Sequence, residues 1–352
     1  FILILYVSFK LIKNYLAHCL YLLSWINKKN LMIKNFKLLT VLSLVIFFQS
    51  CSKNDNDEYV VYPKTIYEHV ATSMNYSYLA YALQKTDLNT VLNGVEEYTL
   101  YAPNNMAFGR FLMENGFNSI DNVPTGLLTQ VLLNHVMVGG IEYRDFKTGY
   151  FKTAAKSDAS QTPMSIHIEQ VNMRVTLNGE SRITQGNVRA TNGIIHVIDR
   201  VIPIPSIVTF AVADENLSSL LSALTRGDLT ADFPSILSTA PGTSPAPFTV
   251  FAPNNNAFND LLVELGVSRL SSIDEPTLKA TLTYHVVAET NALSGDLSDN
   301  LELNTLGGPI TANVTGGATL TDGNNRKSKI IAVDVQANNG VVHLIDKVIL
   351  PN

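Results

Sequence analysis

The chain has 352 residues, 25 of them basic and 30 acidic, with 46% hydrophobic residues and two cysteines. Residues 1–50 hold six Lys and no acid, which leaves 19 basic against 30 acidic residues in 51–352, a net charge near −11. So acidic a body is unsuited to nucleic acid or an anionic membrane face. With only Cys19 and Cys51, a disulfide framework, a cysteine metal site and a cysteine nucleophile are excluded beyond residue 51.

The chain opens on Phe1. Residues 1–31 read as translation from upstream of a true start at Met32; the alternative is a membrane helix, because LAHCLYLLSWI (16–26) is apolar. Residues 32–50 have the order of an export signal: Lys34 and Lys37, the apolar run LLTVLSLVIFF (38–48), then Ser50 before Cys51. The run falls short of the roughly 20 residues that a membrane-spanning helix needs. Cys51 resembles the lipid acceptor of a bacterial lipoprotein, although Phe48 and Gln49 depart from the usual aliphatic and small residues. Plain secretion and an uncleaved anchor are the other two readings. Segment 51–58 is a polar, solvated tether. It lacks the glycine and distal glutamate of a calcium loop.

From residue 59 the sequence repeats itself, which sets the architecture. YTLYAPNNMAF (98–108) returns as FTVFAPNNNAF (248–258), LLNHVMV (132–138) as LTYHVVA (282–288), and NGIIHVIDRVI (192–202) as NGVVHLIDKVI (339–349), at offsets of 150, 150 and 147. The units are 59–205 and 206–352, joined through the stiff Pro203-Ile204-Pro205, and each is expected to fold by itself. Each opens on an amphipathic helix: Tyr76, Leu79, Ala80 and Leu83, then Leu217, Leu220, Leu221 and Leu224, stand at i, i+3, i+4, i+7. Nine extra residues follow in unit two, and with Pro234, Pro241, Gly242, Pro245 and Pro247 they predict an exposed loop.

Asn104-Asn105 and Asn254-Asn255 follow a strand and supply helix N-caps, with Phe108 and Phe258 as core anchors. Later, Val171, Met173, Val175 and Leu177 alternate with polar residues as one half-buried strand. Asn178-Gly179 then supplies a tight hairpin turn, which Asp322-Gly323 is expected to match. Helices first and strands later make an α+β domain.

The TLYAPNNMAF and TVFAPNNNAF segments resemble the first signature of the fasciclin domain. The Asn-Gly-hydrophobic-hydrophobic-His-hydrophobic-Ile-Asp block resembles its second, and Tyr284-His285 its central Tyr-His motif. The likeness covers nearly all of 62–352, in order and twice over. It implies two tandem fasciclin-like domains, each a β-wedge with packed helices, and a role in cell adhesion or extracellular-matrix binding. Unit one departs from the pattern at Asn134, where the Tyr is expected.

In the family the Tyr-His motif is linked to receptor binding, which makes Tyr284, His285 and His135 the candidate ligand contacts. Residue spacing offers a plainer reading. His135 shares a helical stripe with Leu128, Val131 and Leu132, and His285 one with Leu278, Thr281 and Leu282, so both rings are expected in the core. His196 and His343 alternate with apolar strand residues while Asp199 and Asp346 project from the other face, so neither pair forms a dyad.

There is no GxSxG elbow, HExxH or phosphate-binding glycine loop. No catalytic, cofactor or metal residue is assigned, and a triad assembled from distant residues stays open. Of the histidines beyond residue 51, only His69 and His167 are not duplicated. The reading is an exported lipoprotein of the bacterial cell envelope, outer-membrane or cell-surface, anchored through Cys51, binding a surface protein or polysaccharide and no nucleic acid. The alternative is a glycan-binding or uptake accessory lipoprotein, weakened because Trp25 is the only Trp.

Overall fold

The computed structural model describes residues 64–352. The export signal, Cys51 and the tether therefore lie outside the described residues. Strand Tyr98–Pro103 (β1) is apolar on both sides: Leu100 and Ala102 enter one core and Tyr101 another. A strand buried on both faces belongs in the middle of a sheet. Accordingly β1 runs between Val136–Val138 (β2), antiparallel, and Gly193–Ile198 (β7), parallel. Gly149–Lys156 (β3), Pro163–Val171 (β4), Arg174–Leu177 (β5) and Ser181–Ala190 (β6) complete the order β2-β1-β7-β6-β5-β4-β3. The end strands β2 and β3 lie against each other, so the sheet is a nearly closed, barrel-like wedge. Helices Ile66–Ala71 (α1), Ser77–Lys85 (α2), Leu88–Val91 (α3), Asn105–Glu114 (α4) and Thr125–Leu133 (α5) surround the core that holds Leu100 and Ala102.

The second domain repeats this plan with Ile207–Ala213 (α6), Ser218–Leu224 (α7), Phe233–Leu237 (α8), Asn255–Glu264 (α9) and Glu275–Thr283 (α10). Its strands are Phe248–Pro253 (β8), Val286–Val287 (β9), Leu301–Thr305 (β10), Gly308–Asn313 (β11), Thr319–Thr321 (β12), Lys327–Ala337 (β13) and Gly340–Ile345 (β14). The order β9-β8-β14-β13-β12-β11-β10 matches the first sheet strand for strand.

Three expectations are corrected. The stretch 171–177 is a hairpin, not one strand: Asn172 and Met173 both take positive φ (50° and 60°), and Met173 is 79% exposed. The turn pairs Val171 with Arg174, so half-exposed Val171 faces the opposite side from buried Val175 and Leu177, and the apparent alternation joins residues of two faces. Asn178-Gly179 does turn with positive φ (48° and 73°), but Asp322-Gly323 does not match it. There the positive φ falls on Asn325, and the buried Asp322 carboxylate accepts from the N–H groups of Asn324, Arg326 and Leu350. The extra segment of unit two is no plain exposed loop either. Asp232 caps α8, Pro234 lies in its first turn, and Phe233 and Leu237 are buried. Pro within a first helical turn starts a helix rather than breaking one.

Residues 64–352 lie in one compact unit. Across the joint between the two domains, Gln336 N–H donates to Ser165 Oγ (3.0 Å) and Ser157 Oγ donates to the Ala337 carbonyl (2.8 Å). Lys152 Nζ donates to the Asp334 carbonyl (2.6 Å). Gln336 is fully buried, and its Nε2 donates to the Ala337 and Gly340 carbonyls and Asn291 Oδ1. The Tyr150 ring meets Phe210 edge-on at 5.6 Å, joining the core of the second domain.

Candidate functional site

The duplicated polar residues make one wiring scheme, built twice. His135 follows the end of α5. Its Nδ1 bonds the Val131 carbonyl (2.7 Å), and the Ile202 N–H donates to its Nε2 (2.9 Å). His285 does the same with the Thr281 carbonyl (2.7 Å) and the Ile349 N–H (3.2 Å). A ring nitrogen that accepts an N–H carries no proton, so both rings are neutral with the proton on Nδ1. Each ring staples the end of a helix to the last segment of its domain. Burial pulls both imidazoles down to about 4, against the opposing backbone hydrogen bond.

His196 and His343 use the other tautomer. Nε2 donates to the Ile141 and Ala292 carbonyls (2.9 Å each), and Nδ1 accepts from the N–H of Asn187 and Asp334 (3.4 Å each). Asp199 and Asp346 instead accept from the N–H groups of Arg182 and Lys329.

Of the three candidate contacts, His135, His285 and Tyr284 are 1%, 3% and 2% exposed. The Tyr284 hydroxyl donates to the Pro309 carbonyl (2.6 Å) and accepts from the Gly323 N–H (2.9 Å). Asn134, in the matching place, donates to the Pro203 carbonyl (2.9 Å) and accepts from Thr153 Oγ1 (3.2 Å). His285 also lines an apolar cavity of about 20 Å³, room for one water and no larger ligand. Among the described residues, no group of three or more His, Cys, Asp or Glu is placed to hold a metal ion.

Sequence reasoning missed the Asn of the Asn-Gly pair. Asn192 Oδ1 accepts from the Ile66 N–H, and its Nδ2 donates to the Leu92 and Gly94 carbonyls. Asn339 repeats this with the Ile207 N–H and the Leu237 and Thr239 carbonyls (3.1, 2.8 and 3.0 Å). One buried amide thus ties the first helix of each domain to the loop before the motif strand. Its repetition at an offset of 147 was the available signal. Asn339→Ala leaves two buried backbone groups, the Ile207 N–H and the Leu237 carbonyl, without this partner, and an expected loss of about 2–4 kcal/mol should appear in urea unfolding. The expected helix caps fall on the first Asn of each pair. Asn104 and Asn254 are the caps, accepting from Ala107 and Ala257 N–H (2.9 Å each). The second Asn of each pair reaches back to the preceding helical segment, at Met74 and Tyr78 or Glu215 and Ser219.

The joint holds what the duplication does not repeat. His167 is buried on β4, with Nε2 4.0 Å from Asp214 Oδ1, and burial lowers its basicity against the pull of that carboxylate. Asp214 accepts from the Tyr150 hydroxyl (2.8 Å) and from the Asn216 N–H (2.9 Å). Beside them an open cleft of about 860 Å³ runs along β4, β5 and β6, lined by Glu169, Arg174, Thr176, Arg182, Thr184 and, from the second domain, Glu215. Partial burial, then Glu215 and Asp214, raise the Glu169 carboxyl above its usual range.

Two nearly closed seven-stranded wedges, each stapled by the same histidine and asparagine scheme, define a tandem fasciclin-domain protein. The family model for the fasciclin domain matches residues 74–205 and 215–351, and the chain belongs to that family. Human periostin is 29% identical over 271 residues, which cover 75% of this chain and 30% of periostin, so the chain spans under a third of that relative. A fasciclin-like arabinogalactan protein of Arthroderma benhamiae is 26% identical over 306 residues, covering 83% of this chain and 68% of its own. An uncharacterized protein of Synechocystis sp. is 38% identical over 150 residues, covering 42% of this chain and 98% of its own. Among solved structures, a domain pair from the insect cell adhesion molecule fasciclin I aligns with a TM-score of 0.47 at 18% identity, covering 77% of this chain and 95% of that one.

Proposed function

We propose that this is an envelope lipoprotein, anchored through Cys51, whose fasciclin pair attaches to a protein or polysaccharide outside the cell. One observation carries the reading: the polar motif residues of both domains are engaged in internal hydrogen bonds, which leaves the outer surfaces to meet partners. The motif histidines and Tyr284 then serve as scaffold. The cleft along β4–β6 favours the glycan-binding alternative as a second reading, because guanidinium, hydroxyl and carboxylate groups line it together, a set suited to sugar hydroxyls.

Two measurements test this. Intact mass of protein extracted from membranes should show a chain beginning at acylated Cys51; an unacylated chain beginning elsewhere removes the anchor. The mature chain should also capture a surface protein or polysaccharide. Arg174→Glu with Arg182→Glu should weaken polysaccharide capture and leave the melting temperature nearly unchanged, since both residues are exposed. Capture unaffected by this pair removes the cleft reading, and no capture at all removes attachment.

A further inference from the structure

The first domain has an apolar helical face that the second lacks. Met74, Met106 and Met113 are 84%, 73% and 75% exposed, and Tyr78 and Tyr81 are 44% and 45% exposed. Met74, Tyr78 and Tyr81 stand four and three residues apart beside and along α2, and Met106 and Met113 lie seven apart on α4, so each set makes a ridge on one side. Asn105 bridges the ridges, donating to the Met74 carbonyl (2.8 Å) and accepting from the Tyr78 N–H (3.1 Å). At Gly109, between the two methionines of α4, an added Cβ would lie 4.0 Å from the Tyr78 ring. The five side chains are therefore one patch.

The duplication supplies the comparison. At the matching places the second domain has Glu215, Ser219, Ser222, Asn256 and Val263. The same scaffold is thus stable with a mostly polar face, and the fold does not require the apolar one. Charge divides the same way. Residues 59–205 hold 11 basic and 12 acidic side chains, whereas 206–352 hold 7 and 15. Only the first domain can approach a lipid surface without bringing a large negative charge to it.

The chain enters the described structure beside this patch. Lys64 Nζ donates to Thr72 Oγ1 (2.9 Å), two residues before Met74. The 13 residues from Cys51 to Pro63 extend at most about 45 Å. A lipid on Cys51 would hold this face within one tether length of a bilayer.

We propose that the patch of Met74, Tyr78, Tyr81, Met106 and Met113 docks on the headgroup–acyl boundary of the bilayer that anchors the chain, a proposal that rests on the Cys51 anchor. Tyrosine suits that zone, with its ring toward the acyl chains and its hydroxyl toward water. The Tyr81 hydroxyl already points to a polar partner, Asp121 Oδ1 at 2.6 Å. Docking adds apolar contact to the lipid anchor and fixes which side of the pair faces outward.

The test uses the full chain with Trp25→Phe, so that an introduced Trp is the only one. Tyr78→Trp and, at the matching place in the second domain, Ser219→Trp are each mixed with phosphatidylcholine vesicles containing brominated phosphatidylcholine. The expected result is a blue shift and strong quenching for Tyr78→Trp and neither for Ser219→Trp. Adding Met74→Asp and Met106→Asp should abolish the quenching without lowering the melting temperature. Intact mass separates the two ideas. An acylated, vesicle-bound chain with unquenched Tyr78→Trp overturns the docking face and keeps the anchor. An unacylated chain that is still quenched keeps the face and removes the anchor, and one that is unquenched removes both. A blue shift that grows with protein concentration in the absence of lipid assigns the patch to a second copy of the chain and also overturns the proposal.

Discussion

Gly193→Ala and Gly340→Ala should each unfold their domain. Both glycines open the closing strand at positive φ (140° and 155°), directly opposite Tyr98 and Phe248 of the parallel partner strand. A Cβ at Gly193 would overlap the Tyr98 carbonyl oxygen, and at Gly340 the Phe248 carbonyl oxygen. These are backbone atoms held in the central parallel pair, so no side-chain rotation relieves the clash. Strain adds to the overlap, because L-residues avoid this region. The expected loss exceeds about 4 kcal/mol, a large share of the roughly 5–15 kcal/mol that holds a domain together. Gly126→Ala is the control: a Cβ there meets nothing within 4 Å in the first turn of α5. It should be neutral or slightly stabilising in the same urea titration. Equal melting curves for Gly193→Ala and the parent chain would contradict the close approach.

Acid should destabilise the pair before its carboxylates titrate fully. His135 and His285 are held neutral, with folded values near 4 against an ordinary value of 6.5. Burial also lowers His167, His196 and His343. Above pH 6.5 both folded and unfolded chains carry these rings neutral, and the rings make no pH-dependent contribution. Between about pH 6.5 and 4 the unfolded chain binds protons that the folded chain refuses, so stability falls as pH falls. At pH 4 each of the two helix-end rings contributes a loss on the order of 3 kcal/mol. Protonation would also turn Nε2 from acceptor to donor against the Ile202 or Ile349 N–H. Urea midpoints measured from pH 7 to pH 4.5 should show the decline. His285→Gln should be less stable at pH 7, through lost packing, but should show a shallower decline. A decline unaltered by that substitution would mean that His285 titrates normally.

The sequence made the architecture legible because it states it twice. Duplicated spacing reported the order of helix, motif strand, helix-end histidine and closing strand, and the helical stripe already put His135 and His285 in the core. What stayed illegible were properties decided by what lies opposite a residue. The period of 171–177 does not say that the chain reverses at Asn172-Met173. Proline and glycine counts do not say that Asp232 and Pro234 begin a helix. The partners of Asn192 and Asn339 are about 100 residues or more away in sequence. The joint has no counterpart within either repeat, so Tyr150, His167, Asp214 and Gln336 gave no repeated signal. The cleft beside it was unreadable for the same reason.

Asn134 has a consequence for how such chains can be assembled. Its amide holds the Pro203 carbonyl, in the segment that leads to the second domain, whereas Tyr284 in the same place bridges the Pro309 carbonyl and the Gly323 N–H within its own domain. Lys152, Ser157 and Ser165 face Asp334, Ala337 and Gln336, but their counterparts in the other copy are not arranged to face them in return. The two copies have therefore become a leading and a trailing half. In the opposite order the segment that Asn134 holds at Pro203 would no longer lead into the domain that carries Asp334 and Gln336, and the contacts of the joint would be lost.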